Sequence, residues 1–373
     1  MTATPVYLDW NATAPLRVPA RSALIDALDR VGNASSVHRF GREARRLVEM
    51  ARESVAELVA GEPGSVIFTS GGTEANTLAL RATERPVLVS AIEHASVLAA
   101  QAASLPIPVD ATGRIDLPIL DRALRNLGTP AVVSIMLANN ETGIVQPVAE
   151  AAAIAHAHGA LLHCDAVQAA GRIAIDTAAL GVDLLTLSAH KLGGPQGVGA
   201  LVCRGNVRLS AVQRGGGQER GLRGGTENVP GIAGFGAACR AAGLELMDSR
   251  NIAGLRDRLE SGARRVALTT RIIGEDVGRI PNTSCLALPG VDASTLVMAL
   301  DLAGIAVSAG SACSSGRVRP SHVLAAMGLP PAIVNSAIRV SVGWSTAESD
   351  IDRFVDSWGE IAARLADRCA VAA

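Results

Sequence analysis

The chain has 373 residues, of which 49% are hydrophobic and 18% charged, and its formal net charge is -1 at pH 7. This length is sufficient for one large and one small domain, each with its own core. The near-neutral charge argues against a nucleic-acid-binding protein, and no apolar run approaches the ~20 residues of a membrane-spanning helix. The N-terminus has neither the basic nor the apolar region of a signal peptide, so we expect a cytoplasmic protein.

Two helices are predicted near the N-terminus, over about 20–31 and 42–59. The next stretch, 66–80, is a buried strand that runs directly into an apolar helix. The joining turn is Ser70-Gly-Gly-Thr73, whose glycines would let backbone N–H groups approach an anion at the start of the helix. Gly72 and Thr73 are therefore candidate phosphate-binding residues, although glycine turns between strand and helix occur in every α/β fold.

Apolar runs separated by helical segments predict the central strands of a mostly parallel sheet. These strands cover 86–90, 131–138 and 160–164, with a helix over 148–157. Polar residues follow them, where open α/β sheets bind ligands: His94, Asn139 and Asp165. His94 could lie against a cofactor ring, or could only cap the next helix. Asp165 could also be a cap, but a buried carboxylate needs a cation, and Gln168 follows three residues later.

Lys191 is the only lysine of the chain, and the other 33 of the 34 basic residues are arginines. A lysine amine can be deprotonated and form a Schiff base, which an arginine cannot do. A residual surface lysine is the alternative, but Ser188 and His190 would give a phosphorylated aldehyde hydrogen-bonding partners. Pyridoxal phosphate is such an aldehyde, held by a lysine and by a carboxylate at its ring nitrogen, as Asp165 would provide.

The segment 214–228 is rich in arginine and glycine, a pattern found in nucleic-acid binding. It is short, contains two glutamates and lies between ordered elements, so a loop of the folded protein is favoured. A long helical stretch is predicted over about 231–266, followed by a smaller α+β part. The elements of that part are strands near 271–274, 283–288 and 338–344, and helices over 293–303 and 347–365. Arg339 lies inside the last strand, where a buried guanidinium needs a carboxylate.

Cys313 lies in the run Ser308-Ala-Gly-Ser-Ala-Cys-Ser-Ser-Gly316, whereas the other five cysteines have apolar or helical neighbours. An exposed thiol among small, flexible residues suits nucleophilic chemistry. A surface cysteine without a role is the alternative. The six cysteines form no CxxC pair and no metal-ligand spacing, so neither a disulfide nor a metal site is predicted.

Together these residues resemble the cysteine desulfurases of the NifS/IscS type, within the class V aminotransferase group of pyridoxal-phosphate enzymes. The resemblance extends from Tyr7 to Ile351. It is carried by three motifs, namely Ser188-Ala-His-Lys191, Arg223-Gly-Gly-Thr-Glu-Asn228 and Gly310-Ser-Ala-Cys-Ser-Ser315. The Thr-Glu-Asn form of the second motif is closer to the NifS branch.

This resemblance implies the α/β fold of pyridoxal-phosphate-dependent transferases, the aspartate aminotransferase-like fold type I. A large cofactor-binding domain over 15–255 would contain a mostly parallel seven-stranded sheet. Residues 1–14 and 256–373 would form a small α+β domain that carries the Cys313 loop and Arg339. The resemblance further implies a homodimer.

Roles for the matching residues follow from the same resemblance. Lys191 would hold the cofactor as a Schiff base and later move protons at the substrate Cα and Cβ. Asp165 would pair with the pyridinium nitrogen, Gln168 would bond the phenolic oxygen, and His94 would stack on the ring and assist proton transfer. The remaining cofactor-binding residues, at the phosphate, would be Gly72, Thr73, Ser188 and His190, with Thr226 from the other subunit.

Substrate and product follow in the same way. Asn139 and Arg339 would bind the carboxylate of L-cysteine, and the Cys313 thiolate would attack its sulfur, giving alanine and a persulfide. The persulfide would pass to an acceptor protein, such as an iron–sulfur scaffold, with no direct role for nucleic acid or membrane. The sequence does not distinguish iron–sulfur assembly, tRNA thiolation and nitrogenase assembly as destinations.

Two other interpretations remain open at this point. A selenocysteine lyase or another class V aminotransferase-type enzyme would share the fold, although an aminotransferase needs no thiol such as Cys313. A scaffold or RNA-binding protein that uses the segment 214–228 is the non-enzymatic alternative, and the near-neutral charge argues against it.

Overall fold

The computed structural model describes residues 4–101, 103–205, 207–246, 249–310 and 320–371, and for 249, 250 and 365–371 it describes only the backbone. Cys313 lies outside the described residues. The described strands are β1 (Val6–Tyr7), β2 (Val66–Thr69), β3 (Val87–Ser90), β4 (Leu105–Ile107), β5 (Val132–Met136), β6 (Leu161–Asp165), β7 (Leu184–Ser188), β8 (Gly199–Cys203), β9 (Arg271–Ile273), β10 (Thr283–Ala287), β11 (Ile305–Ala306), β12 (Ser308–Ala309) and β13 (Ala337–Ser341). The described helices are α1 (Val18–Leu28), α2 (Arg39–Leu58), α3 (Gly72–Arg81), α4 (Ala95–Leu98), α5 (Leu117–Leu127), α6 (Val148–Ala157), α7 (Val229–Glu245), α8 (Ser249–Val266), α9 (Ala293–Leu302), α10 (His322–Ala326), α11 (Pro331–Val334) and α12 (Glu348–Val371).

Seven of the described strands form the large sheet, in the order β2-β8-β7-β6-β5-β3-β4. Every pairing is parallel except those of β8, which runs antiparallel to both β2 and β7. All residues of β2, β3, β5 and β7 are buried, so both faces of these strands are covered, as is usual for parallel strands. The predicted mostly parallel, seven-stranded sheet is confirmed.

The strand directions bring the polar turns to one edge of this sheet. Since β3, β5, β6 and β7 are mutually parallel and β2 points the same way across β8, all five strands end at the same edge. The strand register fixes the position of Asp165 along the sheet, because Asp165 pairs with Met136 on one side and with Thr186 on the other. The predicted site residues after these strands therefore lie near one another.

Close backbone packing places the glycine turn after β2 at this edge. A Cβ added to Gly199, the first residue of β8, would lie 2.6 Å from the carbonyl carbon of Gly71. Since real Cβ contacts are essentially never that short, only glycine permits β8 to approach the turn so closely. The position of the turn at this edge of the sheet thus depends on Gly199, which has no functional side chain.

A second, smaller sheet contains four of the described strands in the antiparallel order β12-β13-β10-β9. The N-terminal strand β1 pairs in parallel with β11 beside it. A separate hydrophobic cluster joins this sheet to α12, whose Phe354 and Trp358 are fully buried and stack at 5.8 Å. Leu255, at which the predicted large domain ends, packs in this cluster. The domain boundaries themselves stay a prediction.

Two stretches differ from their sequence-based bounds. The helical stretch predicted over 231–266 is described as two helices, α7 and α8, on either side of residues 247–248, which lie outside the described residues. The C-terminal helix α12 continues to Val371, beyond the predicted end at residue 365. Across the described part of the chain, no helix is long and apolar enough to cross a membrane.

Candidate active site

A cavity of about 220 Å³ lies at the edge of the sheet where the parallel strands end. Eight of the predicted site residues line it, namely Gly72, Thr73, His94, Asp165, Gln168, Ser188, His190 and Lys191. The other lining residues are Asn76, Ser96, Met136, Ala138, Asn140 and Val167. Residues more than 100 positions apart in the sequence therefore meet in one polar cavity.

Lys191 ends a short 3₁₀ turn that follows β7 directly. Its Nζ donates hydrogen bonds to the backbone carbonyl oxygens of Asn11 and Ala12, at 2.6 and 2.9 Å. These two uncharged acceptors hold the Lys191 amine at the cavity wall. The N-terminal segment before α1 thereby fixes the position of the only lysine.

Two tryptophans that pack edge-to-face, Trp10 and Trp344, support the turn that carries Lys191. The Arg17 guanidinium lies 3.6 Å from the ring centroid of Trp344, and Trp10 packs edge-on against Trp344 at 4.6 Å. Arg17 Nε also donates to the carbonyl oxygen of Leu192, the residue after Lys191, at 2.9 Å. The cation–π contact and this hydrogen bond together restrain the turn that carries the amine.

Asp165 is buried at the end of β6 and faces the cavity. Its carboxylate accepts hydrogen bonds from Asn76 Nδ2 at 2.9 Å and from the backbone N–H of Val167 at 3.0 Å. Asn76 Oδ1 is buried without a hydrogen-bond partner in the described structure. Gln168 donates from Nε2 to the carbonyl oxygen of Asn11 at 3.0 Å and accepts from Arg172.

The N-terminus of α3 opens onto the cavity beside Thr73. A Cβ on Gly72 would lie 3.1 Å from the Val167 side chain, so a larger residue would crowd this position. Ser188 and His190 line the same cavity, and the Ser188 Cβ would lie 3.5 Å from a Cβ on Gly72. Burial, with further effects of Lys191 and Arg172, lowers the pKa of His190 to about 4, so this imidazole is neutral at pH 7. Free backbone N–H groups, hydroxyls and a neutral imidazole suit an anion such as phosphate.

His94 both caps a helix and lines the cavity. Its Nδ1 accepts a hydrogen bond from the backbone N–H of Ser96 at 3.1 Å and lies 2.7 Å from the Ser96 hydroxyl. Burial, opposed by Asp165 and reinforced by Lys191, lowers the pKa of His94. The two functions that the sequence offered for this histidine are therefore compatible. Next to it, burial and the charge of Asp165 raise the pKa of Glu93 well above its usual value.

The two predicted substrate residues lie close to the cavity but do not line it. Asn139 is fully buried, with Nδ2 bonded to the carbonyl oxygen of Ile92 and Oδ1 accepting from the turn that follows. Its neighbour Asn140 faces the cavity instead. Arg339 donates from Nη1 to the Asn140 carbonyl oxygen at 3.0 Å and from Nη2 to Asp9 at 2.7 Å, while its buried Nε has no partner among the described residues.

The arginine–glycine segment 214–228 is anchored to the folded protein. Arg52 on α2 donates to both carboxylate oxygens of Glu219 at 2.9 Å, and both side chains are buried. Arg223 pairs with Glu74 in the first turn of α3 at 2.8 Å. Thr226 is exposed and does not line the cavity of its own chain. The segment is thus a folded loop beside the glycine turn that begins α3, as the sequence favoured.

Sequence reasoning missed Asn76 and Asn140. Asn76 is the residue one helical turn after Gly72, and it is 1% exposed on a face otherwise occupied by alanine and leucine. A polar side chain in such an apolar stripe is the signal that could have identified it. No comparable signal distinguishes Asn140 from Asn139, since two adjacent asparagines follow the same strand.

Residues 6–354 match the model of the class V aminotransferase family. Among curated proteins, the chain is 45% identical to a cysteine desulfurase of Cereibacter sphaeroides, with 94% of each chain covered. It is 42% identical to a cysteine desulfurase of Gluconacetobacter diazotrophicus, covering 96% of this chain and 94% of that one. Among solved structures, a NifS-like protein from Rickettsia africae superimposes with a TM-score of 0.90 at 35% identity, covering 96% and 99% of the two chains.

Proposed function

The chain belongs to the class V aminotransferase family and, within it, to the cysteine desulfurases, and from that premise we propose how its own residues carry out the reaction. L-cysteine and one enzyme thiol give L-alanine and an enzyme persulfide. The Cβ–S bond of the substrate breaks, and a bond forms between the substrate sulfur and the enzyme sulfur. The proton that the enzyme thiol loses is balanced by the proton that the product methyl group gains. No external oxidant or reductant is needed for this step.

The residues of the cavity fit pyridoxal phosphate as the cofactor. A lysine amine, a buried carboxylate and the N-terminus of a ten-residue helix converge on it, as an aldehyde, a ring nitrogen and a phosphate require. The buried, unpartnered Asn76 Oδ1 supports a polar ligand here, since such atoms normally find a partner. When bound, pyridoxal phosphate supplies an electron sink for the substrate Cα and Cβ.

Each polar group of the cavity then has a task suited to its chemistry. Lys191 would hold the aldehyde carbon of the cofactor, and its amine would move protons at the substrate Cα and Cβ. Asp165, oriented by Asn76, would keep the ring nitrogen protonated. Gln168 would bond the phenolic oxygen. His94 would stack on the ring, and its lowered pKa suits it to accept a proton close to the substrate.

Substrate binding is assigned to Arg339 with Asn139. Arg339 is buried and already oriented by Asp9, and its unpartnered Nε leaves a donor for the substrate carboxylate. Asn139 acts by holding the turn that presents Asn140 to the cavity. The thiol that accepts the sulfur is assigned to Cys313, on the strength of its motif.

The other subunit of a homodimer is proposed to complete the phosphate site through Thr226. This residue is exposed in one chain, although the loop that carries it is fixed by the buried Arg52–Glu219 pair. Exposed apolar side chains are concentrated between residues 16 and 50, including Val18, Val31, Val37 and Phe40. Surface of this kind marks an interface. A cytoplasmic location and delivery of the sulfur to an acceptor or iron–sulfur scaffold protein complete the proposal.

The observation that carries this proposal is the convergence of the only lysine, a buried aspartate and the α3 N-terminus on one cavity. The test is anaerobic turnover of L-cysteine with a thiol reductant, measuring alanine and sulfide for the wild type, Cys313→Ala and Cys203→Ala. Cys203 is the matched control, because it is a partly exposed cysteine on β8 away from the cavity.

We expect equal amounts of alanine and sulfide from the wild type and from Cys203→Ala, and neither product from Cys313→Ala, whose cofactor absorbance persists. Pyruvate in place of alanine, independent of Cys313, would show an eliminating lyase instead. Lys191→Arg should abolish covalent cofactor attachment, measured as loss of the borohydride-stable adduct in the intact mass, because a guanidinium is a poor nucleophile.

A further inference from the structure

Glu141 is a buried carboxyl group outside the cofactor cavity to which no role is assigned above. It is 2% exposed and lies in the turn after β5, with its backbone N–H bonded to Asn139 Oδ1 at 2.9 Å. Its predecessor in the chain, Asn140, faces the cavity. A buried carboxyl is costly unless its partners compensate, so its neighbours indicate what it does.

Two of those neighbours, Gly310 and Ser321, lie on either side of Cys313 in the sequence. Glu141 Oε2 accepts a hydrogen bond from the Ser321 hydroxyl. A Cβ added to Gly310 would lie 2.5 Å from the same Oε2 and 3.2 Å from the Ser321 Cβ, so only glycine fits there. One carboxylate oxygen therefore bonds Ser321 and leaves no room for a side chain at Gly310, and these two residues lie on either side of Cys313 in the sequence.

Each of these two positions also has a neighbour held to a residue close to the cavity. Ser321 caps α10, and the next residue, His322, lies with Nε2 3.0 Å from the carbonyl oxygen of Glu93, beside His94. On the other side, β12 ends next to Gly310 and pairs with β13 so that Ser308 is opposite Arg339. The Glu141 side chain lies between the N-terminus of α10 and the end of β12.

We propose that Glu141 is a positioning residue, which holds Gly310 and Ser321 against the cavity turn and so sets where the thiol of Cys313 can reach. This inference rests on the proposed function of Cys313 as the sulfur acceptor. It assigns Glu141 no contact with substrate or cofactor. Its effect is on the geometry of sulfur transfer, and a small displacement of reacting groups has a large effect on rate.

The protonation state of Glu141 gives this role a measurable signature. Burial raises its pKa to about 7, against the opposing effects of the Ser321 hydrogen bond and of Arg339 on β13. Cys285 on β10 also faces this carboxyl. Above pH 7 the ionised Glu141 accepts a stronger, charge-assisted bond from Ser321 and pairs electrostatically with Arg339. Below pH 7 both interactions weaken.

The experiment compares Glu141→Gln, Ser321→Ala and the double variant as holoenzymes. Glutamine keeps the shape of the side chain but cannot ionise. We expect each single variant to lower kcat for alanine formation by on the order of tenfold or more, with KM for L-cysteine within about twofold. Because both act through one contact, the double variant should be no slower than the slower single variant.

Two control variants separate this role from general destabilisation. Glu150→Gln removes an exposed carboxylate on α6, and Asp116→Ala removes the N-cap of α5, as Ser321→Ala does for α10. Both controls should leave kcat unchanged. If Asp116→Ala lowers kcat as much as Ser321→Ala, or if the two site variants have multiplicative effects, the inference is wrong.

A second readout does not depend on turnover. The rate of alkylation of Cys313 by iodoacetamide, mapped by peptide mass spectrometry in the holoenzyme, should show an inflection near pH 7 in the wild type that is missing in Glu141→Gln. Superimposable pH profiles would overturn the inference. Failure of the proposed function would differ, since the wild type would then yield no alanine while the alkylation profiles still separated.

Discussion

His163 illustrates how one buried residue makes the stability of the molecule depend on pH. It lies on β6, two residues before Asp165, and is fully buried. Its Nδ1 is 2.8 Å from the Ser134 hydroxyl and its Nε2 is 2.9 Å from the Thr186 hydroxyl. Burial lowers its pKa from 6.5 to about 4, so the folded protein holds the neutral ring.

This lowered pKa predicts a loss of stability in acid. Between pH 6.5 and 4 the unfolded chain binds a proton at His163 that the folded chain does not, so stability falls as the pH falls. Above pH 6.5 His163 causes no loss of stability, and by pH 4 the loss amounts to about 3 kcal/mol. We expect His163→Gln to flatten the dependence of the unfolding free energy on pH across this window.

The measurement is denaturant unfolding at several pH values for the wild type, His163→Gln and His156→Gln. His156 is the control, because it is a histidine exposed at the surface. Other buried groups titrate in all three proteins, so the comparison isolates His163. An equal slope in the wild type and His163→Gln would show that His163 does not contribute.

At the scale of elements, the crossing of α2 and α7 depends on a glycine. A Cβ added to Gly236 on α7 would lie 2.6 Å from the Cα of Ala51 on α2, within the core of the large part. The two helix backbones thus approach each other at a point where no side chain fits. The Arg52 that anchors the loop 214–228 follows Ala51 directly, so this contact also positions the loop.

Gly236→Ala is therefore predicted to destabilise the protein by about 1–3 kcal/mol, as overpacking of a core does. Gly254→Ala on α8 is the matched control, since its added Cβ would meet nothing within 4 Å. Alanine at this exposed position of the helix should stabilise the protein by about 0.5–1 kcal/mol. Thermal unfolding of both variants tests this, and a loss of stability of the same size in Gly254→Ala would contradict the packing argument.

At the scale of the whole molecule, the exposed apolar side chains predict self-association. Val31 and Val37 are 83% and 88% exposed in the segment between α1 and α2. Exposed apolar side chains that form a contiguous patch mark an interaction site. In the proposed homodimer these side chains would be buried, and Thr226 of each chain would reach the phosphate of the other.

The double variant Val31→Asp/Val37→Asp is predicted to be a monomer that binds pyridoxal phosphate at least about tenfold more weakly, through loss of a hydrogen bond to a charged group. Leu268→Asp/Leu302→Asp is the control, with residues 87% and 89% exposed elsewhere on the surface. Sedimentation and cofactor titration measure both effects. A monomeric wild type, or a dimeric double variant with unchanged cofactor affinity, would contradict the prediction.

The sequence by itself determined the fold class and most of the cavity. Alternating apolar runs and helical segments specify a parallel sheet, and parallel strands necessarily place their following residues at one edge. For that reason His94, Asp165 and Lys191 could be grouped before any coordinates were known. The isolated lysine among arginines indicated the chemistry, because only one of these two side chains forms a Schiff base.

Tertiary structure alone decided which of two equivalent neighbours faces the cavity, and what holds the site in place. Asn139 and Asn140 differ only in orientation, which the turn fixes through hydrogen bonds to Asn139. The carboxylate that Arg339 requires is Asp9, 330 positions away in the chain. Local sequence carries periodicity and turn preferences, whereas such pairings depend on how distant segments pack, so only the folded chain contains them.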